Sequence, residues 1–481
     1  MEKFYITTPI YYVNDKPHVG SAYTTIAADV LARFYRLGGI QTYFLAGTAE
    51  HGTKLAQAAE KAGKDTQDFV DENSEKFKSA WQTLEITPDD FIRTTEPRHE
   101  RAVMEFFAKL KASGKVYEGE YEGLYCVGHE AFLSSDELDD KGRCPDHLTK
   151  PELVKEKNWF FKLSDYQDFL LQKIESHEFE IAPESRRNEI LSFIKQGLSD
   201  ITISRQHVKW AFPLPWDKNQ TIYVWLDELF NYCSALGYPN GEKFKKFWPA
   251  DLHLVGKDII KFHCVIWPAL LEAIGLPLPK KVFAHGFFTV DGQKISKTLG
   301  NVIDPVELAQ KYGVDAVRYF LLREIPFGQD GDFSVKKLEA RYQGDLADGL
   351  GNLVSRVTNL IETKLEGIVP DIVASPKDLG EVGKFISEYH FHDALARIWE
   401  EISWANKYIN DTKLWEQHEK NPQLFGEVIS SLAALLLDIA QKLSPFMPQT
   451  AEKIKQSLHA EKVTKIEPLF PRLTADGPKV N

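Results

Sequence analysis

Cysteine is scarce in this chain, with 4 in 481 residues, which excludes a disulfide-built scaffold. Basic charge is also short: 58 Lys and Arg face 70 Asp and Glu, for a net charge of −12. A protein that coats nucleic acid indiscriminately needs a broad basic surface, so that class is excluded. A nucleic-acid substrate met by local basic and aromatic groups is not. Long apolar runs are missing too. The most apolar stretch, residues 433–439, is short and contains Asp438, so a buried helix is expected there and no membrane span. The start, Met1-Glu2-Lys3-Phe4-Tyr5, lacks signal-peptide and transit-peptide character. There is no internal repeat and no low-complexity tract. With 43% hydrophobic and 27% charged residues, the composition is that of a soluble globular protein, expected in the cytoplasm. A chain of this length predicts about three to four compact units.

Periodicity outlines the organisation. Residues 4–7 read as a buried strand and run into a loop with Pro9, Asn14, Asp15 and Pro17. Apolar residues at Ile26, Val30, Phe34 and Leu37 then keep helical spacing until Gly38-Gly39. Residues 41–46 predict a strand and 53–62 a helix, and this alternation is that of a parallel α/β sheet. From about residue 115 the pattern turns aromatic, strand-like and then loop-rich. Strand, helix and strand return at 253–256, 259–274 and 282–288. Residues 115–205 therefore read as an insertion splitting one nucleotide-binding domain, with halves at 1–114 and 206–325. Helices predicted at 335–362, 391–411, 425–442 and 447–458 make 326–481 an all-α bundle, with no strand pattern between them.

Three groups of residues carry chemistry. In Pro17-His18-Val19-Gly20-Ser21, a glycine and a helix N-terminus suit an anion, and His18 can donate to phosphate oxygens. A plain turn with a satisfied histidine gives the same pattern. In Asp291-Gly292-Gln293-Lys294-Ile295-Ser296-Lys297-Thr298, two lysines three apart can reach a triphosphate, as can Ser296 and Thr298; a solvated charged turn reads alike. Cys126-x-x-His129 and Cys144-x-x-His147 form two chelating turns in one short insertion. This is the spacing of a tetrahedral structural zinc site, one ion per chain. Cys233 and Cys264 lie in apolar contexts and read as ordinary buried residues.

The two phosphate-handling stretches, with Leu299-Gly300-Asn301 after the second, resemble the signatures of class I aminoacyl-tRNA synthetases. The chain resembles the methionyl-tRNA synthetase family nearly end to end, through residues 8–20, 48–52, 223–232, 256–263, 285–301 and 319–327. The resemblance implies an α/β fold: a Rossmann-like parallel-sheet domain split by a zinc-bearing insertion, then an all-α anticodon-binding bundle. It implies ATP-dependent activation of L-methionine to methionyl-adenylate and transfer to tRNA(Met), supplying initiation and elongation. His18, Lys294 and Lys297 would then be catalytic. Gly20, Ser21, Gly256, Asp258 and Ser296 would complete the ATP site, with Mg2+ accompanying ATP. Ile10, Tyr12, Trp225, Leu229, Tyr232, Ile259 and His263 match the methionine pocket, in which Tyr232 and His263 would offer donors to the thioether. Without the resemblance these aromatics read as core. Trp415 would stack on an anticodon base, or simply pack at a helix end, with Asn352 and Arg356 beside it.

Three positions depart from that pattern. Ser21 stands where a second histidine is usual. His129 replaces a cysteine of the zinc set. Ala49, in Thr48-Ala49-Glu50-His51-Gly52, stands where the family commonly has an aspartate for the substrate ammonium, with Glu50 or backbone carbonyls as substitutes. A catalytically weak paralogue that binds tRNA or methionine is the rival reading. No appended domain follows the bundle, so a monomer is expected.

Overall fold

The computed structural model describes residues 2–128, 131–133, 137–145, 148–206, 208–290, 292–294, 301–369, 379–474 and 477–478. Two compact units interleave along the chain. The first takes Met1–Pro17, Thr42–Ser79 and Pro88–His285; the second takes His18–Gln41, Ala80–Thr87 and Gly286–Asn481.

In the first unit a sheet of seven strands is formed among the described residues. They are β1 (Lys3–Thr7), β2 (Tyr11–Tyr12), β3 (Gln41–Ala49), β4 (Asp90–Arg93), β5 (Glu180–Ala182), β6 (Leu252–Gly256) and β7 (Lys281–His285). The order is β2-β3-β1-β6-β7-β5, with β4 also on β3. The pairs β1–β6, β6–β7, β7–β5, β2–β3 and β3–β4 are all parallel, as expected. β6 is buried along its whole length, and β1 and β7 are buried after their first residue, which explains their mainly apolar sequence. Gly47 is required where β3 meets β4: a Cβ there would lie 2.2 Å from the Ile92 carbonyl oxygen and 3.0 Å from Ile10 Cγ2.

Residues 115–205 carry two structures. Val116–Cys126, Ala131–Leu133, Glu152–Phe161 and Ile201–Thr202 form a separate antiparallel sheet. Between its last two strands the chain supplies β5, flanked by helices Gln167–Glu175 and Glu184–Lys195. The single helix expected over 259–274 is instead a 3-10 turn (Lys257–Ile259), a wide π turn (Phe262–Ile266) and an α-helix (Trp267–Ala273). Pro268 has no N–H to return to the preceding turn, and the helix opens just before it.

The second unit is mostly helical. Helix Pro422–Leu443 is long and apolar enough to cross a membrane by length and composition. Its apolar side, including Phe425, Ile429, Leu432, Leu436 and Ile439, is buried, and it contacts Phe391–Asp411 and Pro448–Leu458. The region after 326 is not entirely helical: Gly331–Phe333 pairs in parallel with Phe288–Val290, and Leu473–Thr474 pairs with Gly477–Pro478. The strand expected over 282–288 stops at His285 because Gly286 passes so close to residue 329 that a Cβ would lie 2.4 Å from the Gln329 carbonyl carbon.

A buried ion pair joins four segments of this unit. Asp29, on helix Val19–Leu37, accepts from Arg318 (2.7 Å), Arg33 (2.7 Å) and the Thr87 N–H (2.9 Å). Arg318 also donates to the carbonyls of Leu84, Pro445 and Phe446, and both partners are 0% exposed. Asp29→Ala strands the guanidinium, so unfolding in urea is expected to show a loss of about 3–5 kcal/mol.

Candidate active site and anticodon face

Strand alternation sorts the residues at the end of β3. Thr48 and Glu50 point to one side. There the Glu50 carboxylate accepts from Thr48 Oγ1 (2.6 Å), Arg93 Nε and Nη2 (2.7 and 2.8 Å) and Thr95 Oγ1 (2.5 Å), and Glu50 is fully buried. Glu50 therefore cannot replace the missing aspartate for the substrate ammonium, because its charge is already matched by Arg93. Ala49 points to the other side, the face whose Gly47 borders Ile10.

Beyond β3, His51 Nδ1 is 2.8 Å from Asp227 Oδ2, and His99 Nε2 is 2.9 Å from Asp227 Oδ1. His99 Nδ1 contacts Ser234 Oγ at 2.7 Å. Burial by itself would raise the Asp227 pKa, but the histidines on both oxygens outweigh it and bring the carboxyl down to about 2. This clamp ties helix Val224–Leu229 to β3 and to helix Pro97–Ala112.

The clamped segment carries the slot. Trp225 stacks on Phe262, centroids 4.2 Å apart, and Leu229 and Tyr232 are buried in the core against which Ile10 and Ile259 pack. Tyr12 is held by a bond from its hydroxyl to the His51 carbonyl (2.7 Å). Tyr232 Oη lies 2.6 Å from His263 Nε2, and His263 Nδ1 lies 3.0 Å from the Ile259 carbonyl. A carbonyl only accepts, so Nδ1 carries the proton. Burial lowers the His263 pKa to about 4, so the ring is neutral near pH 7 and Nε2 accepts from Tyr232. Both protons are thus committed within the pair. The expectation that they face a thioether is corrected: the slot offers aromatic faces and an uncharged polar end, which still suit a polarisable sulfur.

Gly256 ends β6, and the exposed Asp258 sits in the 3-10 turn that follows.

The second unit holds the residues expected from the sequence to handle phosphate. His18 caps helix Val19–Leu37: Nδ1 accepts from the Gly20 N–H at 3.1 Å, and Ser21 Oγ bonds the His18 backbone N–H and carbonyl at 3.1 and 2.8 Å. With Nδ1 accepting, a neutral ring carries its proton on Nε2. Gly20 makes this possible, since a Cβ would lie 3.0 Å from the ring. Ser21 is 6% exposed and serves the cap. The helix's first N–H, that of Val19, bonds the Ile303 carbonyl at 3.0 Å, which fixes the far end of the lysine loop beside His18. The near end is set by Gln293–Lys294 pairing with Phe288–Val290, and by Asp332, which accepts from Thr289 and Gly292. Ser296 and Lys297 lie outside the described residues, as do His129 and His147. Cys126 and Cys144 are buried and in no disulfide. Among the described residues no three potential ligands form a metal cluster.

In the helical part, Asn352 Nδ2 donates to Asn406 Oδ1 (3.1 Å) and Arg356 to Asn410 Oδ1 (2.7 Å). The Arg356 guanidinium lies 6.0 Å from the Trp415 ring centroid. The three residues singled out in the sequence are therefore brought to one face, and Trp415 is 45% exposed, open to a stacking partner.

With this geometry in hand, likeness to known proteins is decisive. The family "tRNA synthetases class I (M)" matches residues 4–150 and 144–358, and "Anticodon-binding domain of tRNA ligase" matches 377–478. A methionine--tRNA ligase of Thermotoga maritima is 48% identical, covering 94% of this chain and 74% of the relative. One of Rickettsia felis is 45% identical, covering 98% and 94%. The chain belongs to the methionyl-tRNA synthetase family. Among solved structures, the Mycobacterium tuberculosis methionyl-tRNA synthetase in complex with methionyl-adenylate superposes with a TM-score of 0.90 at 38% identity, covering all of both chains.

Sequence reading of the family site does not reach Arg93, His99 or Ser234, and it includes Asp227 only within residues 223–232, without a role. Each acts by neutralising or orienting a neighbour far away in sequence, and no local spacing betrays that. His51 was inside a quoted motif, but without a role.

The Asp227 clamp has a pH signature. Its folded pKa, about 2, is below the ~3.9 of an unfolded aspartate. The stabilisation is therefore complete above about pH 4 and lost as pH falls through about 2. Unfolding free energies from urea titrations across that range are expected to fall by about 2 kcal/mol more in the wild type than in Asp227→Asn.

Proposed function

We propose that this chain activates L-methionine and charges tRNA(Met) on the residues described above. The supporting observation is the slot itself: Trp225, Leu229 and Tyr232 on one helical segment, closed by a neutral His263. Members of the methionyl-tRNA synthetase family join methionine to tRNA through an adenylate, and this chain matches them across both the catalytic and the anticodon-binding parts. The methionine carboxylate attacks the ATP α-phosphate in line, giving methionyl-adenylate and pyrophosphate. The terminal adenosine hydroxyl of the tRNA then attacks the acyl carbonyl. No covalent enzyme intermediate is needed, so catalysis rests on positioning and on stabilising phosphate charge.

His18 donates from Nε2 to the α-phosphate oxygens as charge develops there. Lys294 and Lys297 neutralise the departing pyrophosphate, with Ser296 beside them, while Gly20, Gly256 and Asp258 seat the nucleotide. Ser21 contributes through the cap that orients His18. Mg2+ bound to ATP would supply charge screening of its phosphates. Asn352, Arg356 and Trp415 read the anticodon.

Cys126, His129, Cys144 and His147 would hold one structural zinc. The two buried thiols outside any disulfide fit that role, and the paired Cys-x-x-His spacing supports it. The working division is a catalytic domain in halves 1–114 and 206–325, to whose sheet the insertion 115–205 lends β5, and the anticodon part 326–481. The enzyme acts as a cytoplasmic monomer.

Methionine-dependent ATP–pyrophosphate exchange tests the reading. Activity is expected with methionine and with no other amino acid, and Lys297→Ala is expected to lower kcat about 100-fold or more. Trp415→Ala should leave exchange unchanged and weaken aminoacylation about 5- to 100-fold through KM for tRNA. A wild type silent with every amino acid would overturn the assignment in favour of a non-catalytic binder. Metal analysis after chelator-free purification is expected to find about one zinc per chain.

A further inference from the structure

Helix Pro422–Leu443 is more apolar than its buried side requires. Phe425, Ile429, Leu432, Leu436 and Ile439 fill the core side, and Leu424, Val428 and Leu435 lie beside it. Of these, Leu424 is 45% exposed and the other two are half-buried. Spacings of four and seven residues align the three in one outward stripe.

Next to Leu435, the helix Phe391–Asp411 supplies Arg397, Glu400, Glu401 and Trp404, and together they line a groove of about 360 Å³. Trp404 is 59% exposed, because Ile398, Ile402, Ala405 and Ile409 take the core side of its helix. Its ring is held in place by stacking on Tyr408 one turn on, with centroids 5.3 Å apart and 19° between planes.

The rim of the groove is acidic. Arg397 meets Glu381 (3.1 Å), Glu400 (3.5 Å) and Glu401 (3.5 Å), while Lys442 meets Glu401 (2.9 Å) and Asp438 (2.6 Å). Four carboxylates thus share two cations beside an exposed indole. Such a rim repels a phosphate backbone, and it disfavours a second copy of a chain whose net charge is −12. It attracts arginine or lysine, which find carboxylates and an aromatic face together. The stripe running on to Leu424 suits an extended occupant, since a small cation leaves Val428 and Leu424 uncovered. The anticodon candidates face another way. Asn406, bonded to Asn352, follows Trp404 by two residues, about 200° around the helix axis, and Asn410, bonded to Arg356, shares its side.

We propose that this groove docks a basic, leucine-bearing segment of a partner protein, with Trp404 as its anchor, on the side of the helix turned from the anticodon residues. The arginines of the segment pair with Glu381 and Glu400, and its leucines cover the stripe on Pro422–Leu443.

The test is fluorescence anisotropy of the full chain with a labelled hexapeptide, two leucines flanked on each side by two arginines. The wild type is expected to bind it, and Trp404→Ala to weaken binding about 10-fold or more, as loss of a tryptophan anchor does. Glu381→Gln with Glu400→Gln is expected to weaken it about 3- to 10-fold at low salt and little at high salt. The same peptide with glutamates for arginines, or serines for leucines, is expected not to bind. Addition of tRNA(Met) should leave the peptide bound, and Trp404→Ala should charge tRNA as the wild type does. A wild type that ignores the hexapeptide overturns the proposal, and so does binding that Trp404→Ala leaves within about twofold. Displacement of the peptide by tRNA overturns it in favour of a nucleic-acid surface. A dimer in sedimentation that Trp404→Ala abolishes overturns it in favour of self-association.

Discussion

Asp227 is buried where no water can solvate its charge, and the first unit is arranged so that two histidines do so instead. His51 comes from the end of β3 and His99 from the helix Pro97–Ala112, so neutralising one carboxylate pins three elements together. A buried charge stripped of a partner is among the costliest things a fold can contain. The helical segment around Asp227 therefore has little freedom to shift or turn. That segment carries Trp225, Glu228, Leu229 and Tyr232, and the shape of the slot depends on it.

The polar groups of the Tyr232–His263 pair are satisfied in advance. Tyr232 and His263 hydrogen-bond each other, and His263 is in turn fixed by the Ile259 carbonyl at the wide turn before Pro268. A side chain with a strong donor or acceptor finds no partner there and would be buried unsatisfied. A thioether loses nothing in such surroundings. The departure at Ala49 then becomes a question of where the complementary charge resides, since Glu50 is locked to Arg93 on the wrong face of β3.

The second unit solves a parallel problem by similar means. Arg318 and Asp29 are buried together, and the remaining guanidinium N–H groups go to carbonyls from distant turns. The helix that His18 caps is thereby anchored at its middle, while its first N–H holds the return of the lysine loop through Ile303. His18 is thus presented from a rigid element. Substituting serine for histidine at position 21 does not leave a gap, because the Ser21 hydroxyl completes the cap by donating to the His18 carbonyl and accepting from the His18 N–H.

Much of this was legible from the amino-acid order. Apolar spacing located β1, β3 and the helix between them, and it located the long helices of the C-terminal part, because burial on one face imposes a period that local sequence must carry. Resemblance to the family, and not spacing alone, pointed to His18, the lysine loop, the slot aromatics and Asn352, Arg356 and Trp415 as candidate site residues. What spacing could not show is which charges cancel. Arg93 with Glu50, Asp227 with His51 and His99, and Arg318 with Asp29 are separated by 43 to 289 residues. Sequence determined which residues were available and which faces they occupy. Only the tertiary structure decided which carboxylates are silenced by a partner and which side of β3 each one meets, because neutralising a buried charge depends on distance in space and leaves no period in the chain.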